Sequence, residues 1–287
     1  MLPFRKILFP VDYSEPCQAV VPYVKDMLQH FGAELVLVHA YGPAAAFGDP
    51  QIELMDPNLP EKVQVCEHSR LRNFAQAFFP EDHVELFAEL GEAGRIIDNT
   101  AVREGADLVM LATRGHGPLR RLLLGSVTAK VLHDLSVVVW TGIGSALAGH
   151  AARIPYESIV CALDTGDEAE AVLRAAKALA CTYRAQLSIV HLIETPVPSP
   201  EVDFGPIKKE LMNAAHFNLR ELKGKVEVDA PYTVLDTTVA DGVRQEVLRR
   251  NADLVITGRG HYQATFSRMW SHLYPIVREA PCPVLSI

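Results

Sequence analysis

The chain has 287 residues, 49% hydrophobic and 22% charged, with a net charge of −8 when histidine is neutral. That is enough for one large or two ordinary domains with a sizeable core, and the acidic balance disfavours nucleic acid or an anionic membrane as the main partner. The five cysteines (Cys17, Cys66, Cys161, Cys181, Cys282) show no CxxC and no histidine pair at metal spacing, so they read as buried or idle thiols of a reducing compartment.

Residues 1–12 carry Arg5, Lys6 and Asp12 around a short apolar run, a first strand rather than a signal peptide. Periodicity and end signals predict strands 5–11, 34–40, 83–89, 107–112 and 136–140, alternating with helices 15–31, 60–78, 92–104 and 126–134. The strands are near-continuous Val, Ile and Leu, as expected when both sheet faces are covered. Val137–Ala152 lacks acidic and basic residues, but it is too short for a membrane span and contains three glycines. It reads as a last strand followed by a linker. The Pro-, Gly- and acid-containing stretches 41–59 and 193–205 read as surface loops, either lids, partner surfaces or plain variable connections.

The whole pattern then repeats. Residues 5–40 superpose on 157–192 without a gap, so that Asp12 falls on Asp164 and His39 on His191. "GADLVMLATRGHG" (105–117) resembles "NADLVITGRGHY" (251–262). The expected organisation is a domain over 1–141, a linker over 142–155 and a second domain over 156–287. The fold class is α/β: two tandem doubly wound domains, each a five-stranded, mostly parallel sheet with helices on both faces. Such sheets bind ligands beyond the carboxyl ends of their strands.

Asp12, His39 and the turn after Ala112 fall at that edge. Gly115 and Gly117 allow close backbone approach. Gly125-Ser126-Val127-Thr128 opens a helix, whose first amides and dipole favour an anion by ~0.3–1 kcal/mol when exposed. The Ser126 and Thr128 hydroxyls can add hydrogen bonds, and Arg114, Arg120 and Arg121 supply positive charge. Taken singly, each feature has a plainer reading: a turn, a helix cap, a packed core histidine, a solvated basic face.

The combination of "ILFPVDYSE", "LVLVHA", "GEAGRIIDNTA" (91–101) and "ADLVMLATRGHG…LLLGSVTAKVL" resembles the universal stress protein (UspA-like) family, twice over nearly the whole chain. The family's nucleotide-binding subset carries G-x2-G-x9-G-[ST]; here Ala112 stands at the first position, followed by Gly115, Gly125 and Ser126. The resemblance implies a Rossmann-like, adenine-nucleotide-binding fold with an ATP site in the first half. Asp12 and the backbone near Pro10 and Val11 would face the adenosine or a metal, with Val38 or its neighbours beside the adenine and Met110 and Ala112 along the ribose. Arg114, Gly115, His116 and Gly117 would wrap the phosphates, and Gly125, Ser126, Val127 and Thr128 would close the cradle. Mg²⁺ would be a phosphate companion; no dedicated carboxylate cage is visible.

In the second half Thr257 takes the first glycine position, Tyr262 replaces Gly117, and Trp270-Ser271 stands for Gly125-Ser126. The indole is expected to fill the triphosphate volume, leaving no ATP site of the same kind. The implied function is a cytoplasmic, ATP-binding stress-response protein. Nucleotide occupancy of the first domain would regulate conformation or partners, with no nucleic acid or membrane involved. No catalytic set is visible, and any hydrolysis would be slow, with Asp12 or His116 taking part. The alternatives are a nucleotide-free dimerisation module and a slow ATP hydrolase or adenylyl-transferring enzyme. The short terminal strands Val137–Trp140 and Val284–Ile287 are expected to join the halves as an intramolecular pseudo-dimer, which could pair again as a homodimer.

Overall fold

The computed structural model describes residues 2–42, 59–80, 83–113, 124–142, 154–195, 205–259 and 266–287, with the main chain alone over 266–272. They form two compact units that divide near residue 145.

In the first unit, strands β1 (Lys6–Pro10), β2 (Glu34–Tyr41), β3 (Val84–Leu90), β4 (Leu108–Ala112) and β5 (Val138–Gly142) alternate with helices α1 (Glu15–Phe31), α2 (Leu59–Phe78), α3 (Ala93–Glu104) and α4 (Ser126–Asp134). The strands pair in the order β3-β2-β1-β4-β5, all parallel. Right-handed crossovers place α1 and α2 on one face and α3 and α4, which touch each other, on the other. The expected doubly wound fold is the observed one. Its central strand is covered on both sides, so Ile7, Leu8 and Phe9 are 0% exposed.

Local chemistry sets the element ends. Ser14 Oγ accepts the Cys17 amide at 3.2 Å and starts α1, and Gly32, at φ 60°, ends it in the left-handed region where glycine is unstrained. Glu92 caps α3 by accepting the amides of Gly94 and Arg95 at 2.9 and 3.0 Å.

The second unit repeats the order with β6 (Ser158–Ala162), α5 (Ala169–Tyr183), β7 (Gln186–Ile193), α6 (Gly205–Val226), β8 (Tyr232–Asp236), α7 (Val239–Arg250), β9 (Leu254–Thr257), α8 (Phe266–Glu279) and β10 (Val284–Ser286). Its parallel strand order is β8-β7-β6-β9-β10. An acid ahead of the fourth strand ties down the first strand in both units. Asp107 accepts the amides of Arg5 and Lys6 at 2.9 and 3.2 Å, and Asp253 accepts those of Glu157 and Ser158 at 2.9 and 3.0 Å. Among the described residues, no helix is long and apolar enough to cross a membrane.

Candidate functional site

The winding direction of the first sheet reverses between β1 and β4, which places a crevice beyond their carboxyl ends. The β1 wall is built by local hydrogen bonding. Val11 donates its amide to the Val38 carbonyl at 2.8 Å, and its own carbonyl accepts from His39 Nδ1 at 2.7 Å. A carbonyl only accepts, so Nδ1 carries the proton. His39 is 9% exposed and acts as a clamp between the ends of β1 and β2, the packed-core reading rather than the ligand reading. His191 repeats it on Leu163 at 2.8 Å. Asp12 Oδ1 accepts both the amide and the hydroxyl of Ser14, at 3.0 and 2.6 Å. Its carboxylate therefore braces the start of α1 from the rim of the crevice.

On the opposite wall, Thr113 donates its amide to Gly142 at 2.9 Å, continuing the β4–β5 pairing, and accepts the Gly125 amide at 3.0 Å. Thr128 Oγ1 donates to the Ala112 carbonyl at 3.0 Å. These two bonds hold the start of α4 against the end of β4. Gly125 is the N-cap residue, at φ −59° and ψ 142°, with no side-chain cap. The first bond of the turn is Ala129 to Gly125, so the amides of Ser126, Val127 and Thr128 have no acceptor within the helix.

The structure sorts the expected contact residues. Pro10, Asp12, Ala112, Gly125, Ser126 and Val127 keep exposure at this edge. Burial bears on four of the others. Met110 is 0% exposed, so its side chain lies in the sheet interior and not along a ribose. The Val11 and Val38 side chains, at 3% and 1% exposed, pack in the core, which leaves to the expectation there the backbone near Pro10 and Val11 and the neighbours of Val38. The Thr128 hydroxyl proton goes to Ala112 and its side chain is 3% exposed, so it positions the helix instead of binding a phosphate oxygen. Arg114, Gly115, His116, Gly117, Arg120 and Arg121 lie outside the described residues.

One wall was missed by the sequence reading. Tyr13, at φ 62°, lays its ring 4.6 Å from the His39 ring, and the Arg70 guanidinium lies over the Tyr13 ring at 4.0 Å. Glu67 Oε2 lies 3.5 Å from His39 Nε2. Burial pushes the Tyr13 phenol pKa well above its ordinary value, so it stays protonated. Arg70 and Glu67 come from α2, more than fifty residues away, and no local pattern announces the pairing.

The second unit departs in its main chain. Ile7 pairs with Leu108 as Ile159 pairs with Leu254, and Thr113 bonds Gly142 as Arg259 bonds Ile287. Register therefore makes Gly258, and not Thr257, the counterpart of Ala112: the link from strand to Arg-Gly-His is one residue shorter. A Cβ on Gly258 would lie 3.1 Å from Val172 Cγ2, beneath α5. Arg259 takes the place of Thr113; desolvation lowers its pKa to about 10, against the opposing charge of Glu168. Trp270 falls inside α8, which begins at Phe266, so its amide and the next ones have helical acceptors. The expected indole plug concerns a side chain outside the described set. What the structure supplies is a main-chain difference: the helix start of the first unit is not repeated at this point of the second.

The universal stress protein family pattern matches residues 3–141 and again 155–287. The chain belongs to the universal stress protein family. This tandem member is 32% identical over 132 residues to a universal stress protein from Thermus aquaticus, encoded in the QAH/OAS sulfhydrylase 3′ region; the match covers 46% of this chain and 93% of the relative. Among solved structures, a universal stress protein from Archaeoglobus fulgidus superposes with TM-score 0.69 at 18% identity, covering 98% of this chain and 95% of its own. A functionally unknown protein from Pseudomonas aeruginosa, PA1789, gives 0.68 at 11% identity over 99% and 92%. At these identities the superpositions speak for the fold alone.

Proposed function

We propose that the first unit of this universal stress protein binds an adenine nucleotide, ATP, at the carboxyl edge of its sheet, and that occupancy regulates the protein's conformation or partners in the cytoplasm. One observation carries the reading: the uncapped start of α4, fixed beside the end of β4 by Thr128 and Gly125, offers three main-chain donors at a positive dipole end. Gly125 brings no side chain to compete for them. Asp12 and Ala112 stand on the crevice walls, with Gly125, Ser126 and Val127 at the phosphate end. The Arg114–Gly117 segment, which follows Thr113 in sequence, would wrap the phosphates. Among the described residues no group of three or more His, Cys, Asp or Glu could hold a metal ion, so Mg²⁺ would arrive with the triphosphate and be held by it. A nucleotide-free interaction module is the rival. Calorimetric titration with ATP separates them: saturable 1:1 binding, abolished in a folded Gly125→Trp variant, supports the proposal, and no heat of binding to the intact protein defeats it.

A further inference from the structure

The second unit carries an open depression of about 620 Å³ at the amino-terminal edge of its sheet. Its volume falls within the range of small-molecule sites. Ala180, Leu187, Val228 and Pro231 give it an apolar floor, between the last turn of α5, the start of β7 and the link from α6 to β8.

The first unit differs at this corner. Lys25 is the counterpart of Lys177, and its ammonium lies 5.8 Å from the ring centroid of Phe79, a residue only 2% exposed. Residues 226–231 of the second unit read VEVDAP and contain no aromatic. Lys177 reaches instead to the carbonyls of Val226 and Glu227, at 2.9 and 2.8 Å. In the second unit the lysine is thus drawn to main-chain carbonyls and not to an aromatic face.

The rim is charged with both signs. Arg250 is committed to Glu246 at 3.0 Å. Among the described residues, the Arg184 guanidinium has no side-chain partner, nor do the carboxylates of Glu227 and Asp229. Arg184 and Glu227 also sit at φ 55° and 54°, in the left-handed region that side chains rarely adopt. The first unit has Gly32 where Arg184 stands, at φ 60°. Both are helix-end positions: Arg184 caps the carboxyl end of α5 and Glu227 follows the end of α6, which brings the two side chains to the same rim.

We propose that this depression binds a small aromatic molecule bearing both a carboxylate and an ammonium group. The ring would occupy the apolar floor, the carboxylate would meet Arg184, and the ammonium would meet Glu227 and Asp229. Cys181 lines the same depression and is an exposed free thiol, so it reports occupancy.

The test uses the full chain carrying Cys66→Ser, with three probes: L-tryptophan, 3-indolepropionate, which lacks the ammonium, and tryptamine, which lacks the carboxylate. Millimolar tryptophan should slow maleimide alkylation of Cys181, bind by calorimetry, and bind more tightly than either analogue. Arg184→Gly, which suits the backbone and keeps the fold, should weaken tryptophan binding about tenfold, the worth of one charge-assisted contact. Val228→Phe, filling the depression, should abolish it. Binding no weaker for the analogues overturns the assignment of the two charges. Unprotected Cys181 with all three probes, or tryptophan affinity unchanged in Arg184→Gly, overturns the site.

Discussion

Gly125→Asp separates phosphate binding from helix integrity, because the two should move in opposite directions. Gly125 has ordinary extended backbone angles, φ −59° and ψ 142°, which aspartate adopts without strain. An Asp side chain at this N-cap would accept the Val127 or Thr128 amide and interact favourably with the helix dipole. Together these should raise stability by about 0.5–1 kcal/mol. The same carboxylate would sit where a phosphate is proposed. A unit charge ~5 Å from another repels it by about 0.8 kcal/mol in water-like surroundings and about 3 kcal/mol at an effective dielectric of ~20. ATP affinity should therefore fall about 5- to 150-fold while the denaturation midpoint rises. Fluorescent-nucleotide titration and urea unfolding on the same preparation read both. A stabilised variant that binds ATP as tightly as its parent would refute the reasoning, since the anion would then rest elsewhere.

Other outcomes follow from residues already placed. Native protein should expose two reactive thiols, Cys66 and Cys181, and denatured protein five; Cys17 is buried, with its pKa raised to about 12, and Cys161 and Cys282 are buried with theirs raised further. His39→Phe and His191→Phe each strip the donor from a strand-end carbonyl and should lower stability by about 1–3 kcal/mol, read by urea unfolding. Lys208, at 2.7 Å, and then Thr195 hold the Asp236 pKa down to about 2. A depressed acid contributes stability above its unfolded pKa of ~3.9 and loses that contribution as pH falls toward the folded value. Lys208→Ala should therefore lose about 0.5–1 kcal/mol near neutral pH, discounted because the lysine is half exposed, and converge with its parent near pH ~2.

Helix α1 was readable to the residue, because its serine cap and glycine stop are local chemistry, and the strand alternation gave the fold class directly. Side-chain direction was not readable. Met110 and Thr128 look like site residues in a motif, yet strand pleating turns one into the core and a hydrogen bond across sixteen residues engages the other. The Thr257 assignment went wrong because the Arg-Gly-His triplets align better than the strands beneath them; only pairing register reveals the missing residue. The aspartates at 107 and 253 stood in plain view within the repeat, but their bonds to amides about a hundred residues away needed the sheet to exist first.

The early start of α8 has a consequence for ancestry and for engineering. When two copies diverge by swapping a side chain, reversion is one substitution away. Here the second copy winds extra residues into helix ahead of Trp270, so the donors a triphosphate would need are consumed internally. Trp270→Gly alone would not free those amides; giving the second unit the helix start of the first requires unwinding the turn ahead of residue 270.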